Sequence, residues 1–167
     1  MSSSVALIPA GPEYEHVLRN LLELYVHDLS ELVPVNVGED GRFGYSKFVL
    51  YWSDVRRHAF LAQVDGRWAG FALVKKGSEA GGDSEVWDMA EFFVLRRFRR
   101  RGVGSEMAES VWRLCPGNWE IRVMESNAAA CRFWGSSIER FTGHRSEPGK
   151  FQVGAVSWNL FSFESKP

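Results

Sequence analysis

The chain has 167 residues, the length of one domain, and its 45% hydrophobic and 14% aromatic content is enough to bury a real core, which excludes a disordered chain. A net charge of −1 excludes a global field that would drive binding to nucleic acid or to a membrane surface. Cys115 and Cys131 are too few for a disulfide scaffold and sit in no metal-ligand spacing, so no metal is expected and a reducing cytoplasm is the plain reading.

From the N-terminus, Met1–Ile8 lacks a basic stretch and a long apolar run, so no signal peptide is expected. No apolar stretch approaches the ~20 residues of a membrane span. Val5–Ile8 reads as a short strand. After Gly11-Pro12, the residues Tyr14, Val17, Leu18, Leu21, Leu22 and Tyr25 recur at helical spacing, and the pattern fades near Ser30. Val33 to Gly44 is a loop, and Phe48–Trp52 is either a short helix or an extended piece. His58–Val64 and Trp68–Lys75 read as strands joined by the hairpin signal Asp65-Gly66. A second turn, Gly77–Ser84, leads to a long strand, Val86–Leu95.

Gly102–Leu114 carries one apolar stripe and reads as a helix, stopped by Cys115-Pro116-Gly117-Asn118. Trp119–Met124 alternates as a strand. Asn127–Trp134 reads as a short helix with Ser126 or Asn127 as its cap, Phe141 to Gly149 as loop, and Ala155–Phe163 as the last strand. The expected fold is α+β. It is one domain over 1–167, with a mostly antiparallel mixed sheet, helices on both faces and one β-α-β crossover in its middle.

The chemical centre is Arg99-x-x-Gly102-x-Gly104. A strand runs into a cluster of arginines, two glycines follow, and a helix starts. That geometry aims bare backbone N–H groups and a positive helix end at one point, a suitable place for pyrophosphate. Arg99, Arg100 and Arg101 could add charge-assisted hydrogen bonds. The competing readings are a solvated arginine face and a nucleic-acid patch. The segment lacks the Gly-Lys-Ser/Thr ending of a Walker loop, and Met107 breaks the dinucleotide spacing.

Val94-x-x-x-Phe98-Arg99-x-x-Gly102-x-Gly104 resembles the acetyl-CoA-binding motif of the GNAT N-acetyltransferase superfamily. Trp119–Met124 followed by Glu125-Ser-Asn-Ala-Ala-Ala-Cys-Arg-Phe-Trp134 resembles the next GNAT strand and helix, with an Asn, an Ala three residues on and an aromatic pair. The two motifs span roughly Val86 to Phe141. The resemblance implies acetyl-CoA as cosubstrate. Phe92, Phe93 and Val94 would pair through their backbone with the pantetheine arm. Arg99, Arg100, Arg101, Gly102, Val103, Gly104 and Ser105 would hold the pyrophosphate. Asn127 and Ala130 would face the cofactor, and Phe133 and Trp134 would border the pantetheine or thioester. The side chains of Phe92, Phe93 and Phe133 equally suit plain core packing.

The implied reaction is direct acetyl transfer to an amine, which needs a base. Asp88 and Glu91 compete for that role. Strand alternation puts them on opposite faces unless a bulge shifts the register. Glu91 is preferred because an acid set against Phe92-Phe93 would have a raised pKa; either acid could instead simply pair with an arginine. Many relatives carry a tyrosine that protonates the departing thiolate where this chain has Trp134, and indole is no proton source. Tyr25, Tyr51 or water would then supply the proton, or catalysis has been lost.

On the acceptor side, Tyr25, His27, Asp28, Tyr45, Tyr51 and Trp52 are candidate lining residues, with Asp28 suited to attract an amine cation. Asp40–Gly44 reads as a lid. A small-molecule amine is favoured over a protein N-terminus. The alternatives are a catalytically silent acyl-CoA-binding or regulatory module, and a nucleic-acid binder through Arg96–Arg101. The near-zero net charge and the glycines argue against the second. An aromatic-rich surface would support a homodimer.

Overall fold

The computed structural model describes residues 4–167; the first three residues of the segment read for a signal peptide lie outside them. The strands are β1 (Val5–Pro9), β2 (Arg57–Val64), β3 (Arg67–Lys76), β4 (Trp87–Val94), β5 (Gly117–Met124), β6 (Gly149–Val153) and β7 (Val156–Ser165). The helices are α1 (Glu15–Leu29), α2 (Leu50–Ser53), α3 (Val103–Leu114) and α4 (Ala128–Thr142). One sheet contains all seven strands in the order β1-β2-β3-β4-β5-β7-β6. Only β4 and β5 run parallel, joined by the α3 crossover, as expected of the α+β reading.

The sheet separates two apolar layers. On one face, Leu18, Leu21 and Leu22 of α1 pack with Phe48 and Tyr51 against Leu61, Phe71, Leu73 and Phe93. On the other, Ala108, Val111 and Trp112 of α3 and Trp134 and Ile138 of α4 pack against Met89, Trp119, Ile121 and Phe161. β3 lies between them and is buried on both faces from Ala69 to Val74, which is why Trp68-Ala-Gly-Phe-Ala-Leu-Val reads as a continuous apolar run. Burying side chains as large as Trp112 contributes roughly 1.5–3 kcal/mol each.

Two sequence expectations change. Phe48–Trp52 resolves into a turn and the four-residue α2. α4 does not stop at Trp134 but continues to Thr142, where Gly143 ends it in the left-handed conformation. Gly135-Ser-Ser is a poor helix stretch by propensity. The packing of Ile138 and Phe141 around Trp112 and Phe163 carries the helix past it. Between the expected loop, which ends at Gly149, and the last strand, a stretch given no assignment from sequence forms β6, an edge strand hydrogen-bonded to β7 through a short turn at Gly154.

Two features of β4 set the site. Leu73 pairs with Glu91 but Val74 pairs with Met89, so Ala90 is a bulge. The bulge cancels the parity that would separate the two acids: Asp88, Glu91 and Phe93 all face the α1 layer, while Met89 and Phe92 face α3 and α4. Second, β4 and β5 pair only at Trp87–Trp119 and Asp88–Glu120. Beyond those two positions the strands part, and the facing backbone edges have no ladder partner.

Candidate active site

The turn from Leu95 to Gly102 is shaped by backbone that few side chains favour. Arg100 has φ +60° and Gly102 has φ +80°. The first intrahelical bond of α3 runs from the Glu106 N–H to the Gly102 carbonyl at 3.0 Å, and no side chain caps the helix start. The N–H groups of Gly102, Val103, Gly104 and Ser105 are therefore the open donors that a helix start presents. The two glycines serve different ends. Gly102 supplies the left-handed backbone. A Cβ on Gly104 would come within 3.1 Å of the Phe133 ring and 3.5 Å of Val94, so its bareness lets α3 seat against α4 and β4.

Of the three arginines, Arg99 reaches back to β4 and α1 while staying 40% exposed. Its Nε donates to the Val94 carbonyl at 2.6 Å and its Nη2 to Asp28 at 2.5 Å. Arg96 donates to the other Asp28 oxygen at 2.8 Å. Burial alone would raise the Asp28 carboxyl, but Arg99 and Arg96 outweigh it and hold it below the usual aspartate range. Asp28 thus anchors α1 to the arginine turn, and its two oxygens are both engaged by guanidinium groups instead of standing open to an acceptor amine. Arg100 and Arg101 are exposed beside the open N–H groups.

On the α1 side of the parting strands, Glu91 receives two phenols. Tyr25 of α1 donates to one carboxylate oxygen, and Tyr45 donates to the other at 2.9 Å. Tyr25 is fixed edge-on against Phe71 and Phe93. Tyr45 is placed by its loop, because the Glu23 carboxylate accepts the N–H groups of Phe43 and Gly44 at 2.8 Å each. The segment read as a lid is therefore pinned to α1. Burial pushes the Glu91 carboxyl up, against the lowering effect of the two phenols. Burial, with the Glu91 charge, pushes Tyr25 and Tyr45 well up, so both stay protonated near neutral pH. Tyr51 is buried behind them, its hydroxyl without a partner, and burial pushes it to about 12.

The other acid is differently held. Asp88 is 1% exposed, with Arg122 Nη2 at 2.9 Å and Lys75 Nζ at 3.7 Å. Burial raises its carboxyl even so.

On the opposite side of the sheet, Asn127 caps α4 by accepting the Ala130 N–H at 3.1 Å. Phe133 stacks on Phe92, and Trp134, 6% exposed, is wedged between Phe92 and Trp112.

This layout, a bare helix start after a bulged strand that splays from its parallel neighbour, has relatives. The profile of the acetyltransferase (GNAT) family matches residues 18–136. The chain belongs to the GNAT acetyltransferase family. It is thus a GNAT acyl-CoA acyltransferase by family. No curated protein matches it. Among solved structures, an acetyltransferase from Thermus thermophilus superposes with a TM-score of 0.68 at 15% identity, over 98% of each chain. The ribosomal-protein-S18-alanine N-acetyltransferase of Escherichia coli gives 0.65 at 13%, covering 98% of this chain and 95% of that one. The PaiA N-acetyltransferase of Thermoplasma acidophilum, solved with coenzyme A, gives 0.66 at 11%, over 96% and 99%. At these identities the likeness is one of fold.

Within the GNAT frame, the residues that sequence reasoning missed are Lys47, Arg57, Lys75, Glu79 and Arg122, which with Tyr45 and Glu91 line a cavity of about 180 Å³. A second cavity, of about 530 Å³, opens between α1 and the 36–48 loop and shares Tyr45 as a wall. Among the described residues, no group of three or more His, Cys, Asp or Glu is placed to hold a metal, and no helix is long and apolar enough to cross a membrane.

Proposed function

We propose that this GNAT protein transfers an acetyl group from acetyl-CoA to a primary amine, a small molecule rather than a protein N-terminus, with Glu91 as the base. The observation that carries the reading is Glu91 itself. It is a partly buried carboxylate with a raised pKa, held by Tyr25 and Tyr45 where β4 parts from β5.

The chain's groups fit acetyl-CoA. The open N–H groups of Gly102 to Ser105, with Arg100 and Arg101 beside them, suit the pyrophosphate. The unpaired edge of β4 at Phe92, Phe93 and Val94 suits the amide-bearing pantetheine arm. Asn127, Ala130 and Phe133 support this from α4, the first two as its cap and the third as the packing partner of Gly104. Acetyl-CoA supplies the activated acetyl group, which leaves its sulfur as the amine nitrogen bonds to the carbonyl carbon.

An amine is a cation at neutral pH, so Glu91 must first take a proton from it, directly or through water. Tyr25 and Tyr45 hold the carboxylate in place. Each can pass its hydroxyl proton to the departing thiolate while recovering one from protonated Glu91. The balance is one acetylated amine, one free thiol and one proton released to solvent. This assigns to the phenols the proton that Trp134, packed in the core, does not deliver.

Trp134 also supports the second reading, a catalytically silent acyl-CoA-binding module. The experiment is a calorimetric titration with acetyl-CoA, with dephospho-coenzyme A and ATP as controls, followed by a thiol-release assay over a panel of amines. Saturable binding, weakened about tenfold or more by Arg101→Glu at an exposed position, is the expected result. Binding without turnover of any amine selects the silent module. No binding at low salt overturns both readings.

A further inference from the structure

The cavity beside Glu91 has an unusual wall. Lys47, Arg57, Lys75 and Arg122 all face it, against the carboxylates of Glu79 and Glu91. Four cations around about 180 Å³ repel one another and lose hydration unless anions answer them. Asp88 answers only in part, since one carboxylate lies between Arg122 at 2.9 Å and Lys75 at 3.7 Å.

Two further observations show that an anion suits this place. The first is Glu79. It reaches over from the β3–β4 turn, and its carboxylate is held by the Lys75 ammonium, which lowers its pKa. Its side chain is 43% exposed and its turn is flanked by Gly77, Gly81 and Gly82. A carboxylate of the chain itself thus occupies the cationic wall, on a partly exposed side chain. The second is Arg57. Its Nε is buried with no hydrogen-bond acceptor; the nearest carboxylate oxygen, of Asp54, is 3.4 Å away and poorly aligned. The guanidinium lies over the Tyr51 ring at 5.5 Å, which orients it without giving Nε an acceptor.

We propose that the acceptor is a small primary amine that also bears a carboxylate, and that Arg57, Lys75 and Arg122 receive that carboxylate while the amine faces Glu91. The inference rests on the acyl-transfer reading above and names its substrate class. The wall is complementary to a zwitterion: one anionic group for the ammonium end, a cluster of cations for the other. A diamine would set a second cation against four. The cavity is smaller than the ~300–1,000 Å³ of drug-sized sites, which restricts the acceptor to a few heavy atoms. Glu79 gives way when the acceptor carboxylate takes its place on Lys75.

The test is equilibrium titration of the protein saturated with coenzyme A, which cannot react. The probes are glycine, 4-aminobutyrate and 6-aminohexanoate, each against its uncharged amide. At least one acid is expected to bind tenfold or more tightly than its amide. Arg57→Gln should erase that difference, and Lys47→Gln, at an exposed position, should reduce it. Amides that bind as tightly as the acids, or no binding by any acid, overturn the proposal. Thiol release from acetyl-CoA with the same compounds separates the two readings. An acid that binds selectively but is not acetylated upholds the anion subsite and removes the transferase reading. Acetylation of amides and acids alike upholds the transferase and removes the subsite.

Discussion

Glu91→Gln is expected to lower kcat/KM for amine acetylation by roughly 10²–10⁴-fold while leaving acetyl-CoA affinity unchanged. The amide keeps the shape and still accepts a phenol hydrogen bond, but it cannot take a proton. The pH profile separates this from mere misplacement. Burial raises the Glu91 pKa, and the base acts only when ionised, so kcat/KM should rise with pH through a limb lying above the ordinary carboxylate range. In the glutamine variant that limb disappears, while any limb from the acceptor's own ammonium remains. The consequence for stability has the opposite sign. A carboxyl whose folded pKa is raised contributes stability below its unfolded pKa and loses it as pH rises through the folded value. Glu91 and Asp88 therefore make the protein less stable over the same range in which Glu91 becomes active.

Gly70→Ala is expected to produce the largest loss of stability from a single methyl group. β3 approaches β4 so closely there that a Cβ would lie 2.0 Å from the Phe93 carbonyl oxygen and 3.1 Å from the Val94 Cα. No rotamer relieves a clash with backbone, so the strands must separate. A cost of about 3 kcal/mol or more follows, a fall of roughly 6–12 °C in Tm by thermal denaturation. The displaced segment is the end of β4 that leads into the arginine turn, so acetyl-CoA affinity should fall with it. A Tm within a degree of the parent would show that the strands part at no cost.

The outline of the fold was legible because its cues are local. Asp65-Gly66 marks one hairpin, and the glycine turn between a strand and a helix marks the crossover. The extent of α4 was not, because Gly135-Ser-Ser argues for a stop and only the distant Trp112 and Phe163 override it. The pairing of Asp88 with Glu91 on one face depended on the Ala90 bulge, and a bulge leaves no mark in a strand that alternates plausibly either way. Asp28 read as an acceptor ligand because its helix points toward the substrate side; the arginines that claim it are 68 and 71 residues away. Arg122 and Lys75 were missed for a related reason. Arg122 alternates with Ile121 and Val123 as a solvent-facing residue would, and Lys75 sits at a strand end where lysine is ordinary. Both face a layer that α1 and its loop cover, and only the assembled sheet shows it.

The brief meeting of β4 and β5 gives the protein the character of a sheet left one strand short. Past Asp88 and Glu120, each of these strands offers donors and acceptors that its neighbour does not take up. A ligand with amides along its length that enters the gap acts as the missing strand, tying the β1–β4 half to the β5–β7 half. The energy of recognition there is main-chain energy, indifferent to side-chain identity. Such recognition places no demand on side chains, and the chain keeps this fold at only 11–15% identity to the three structures named above.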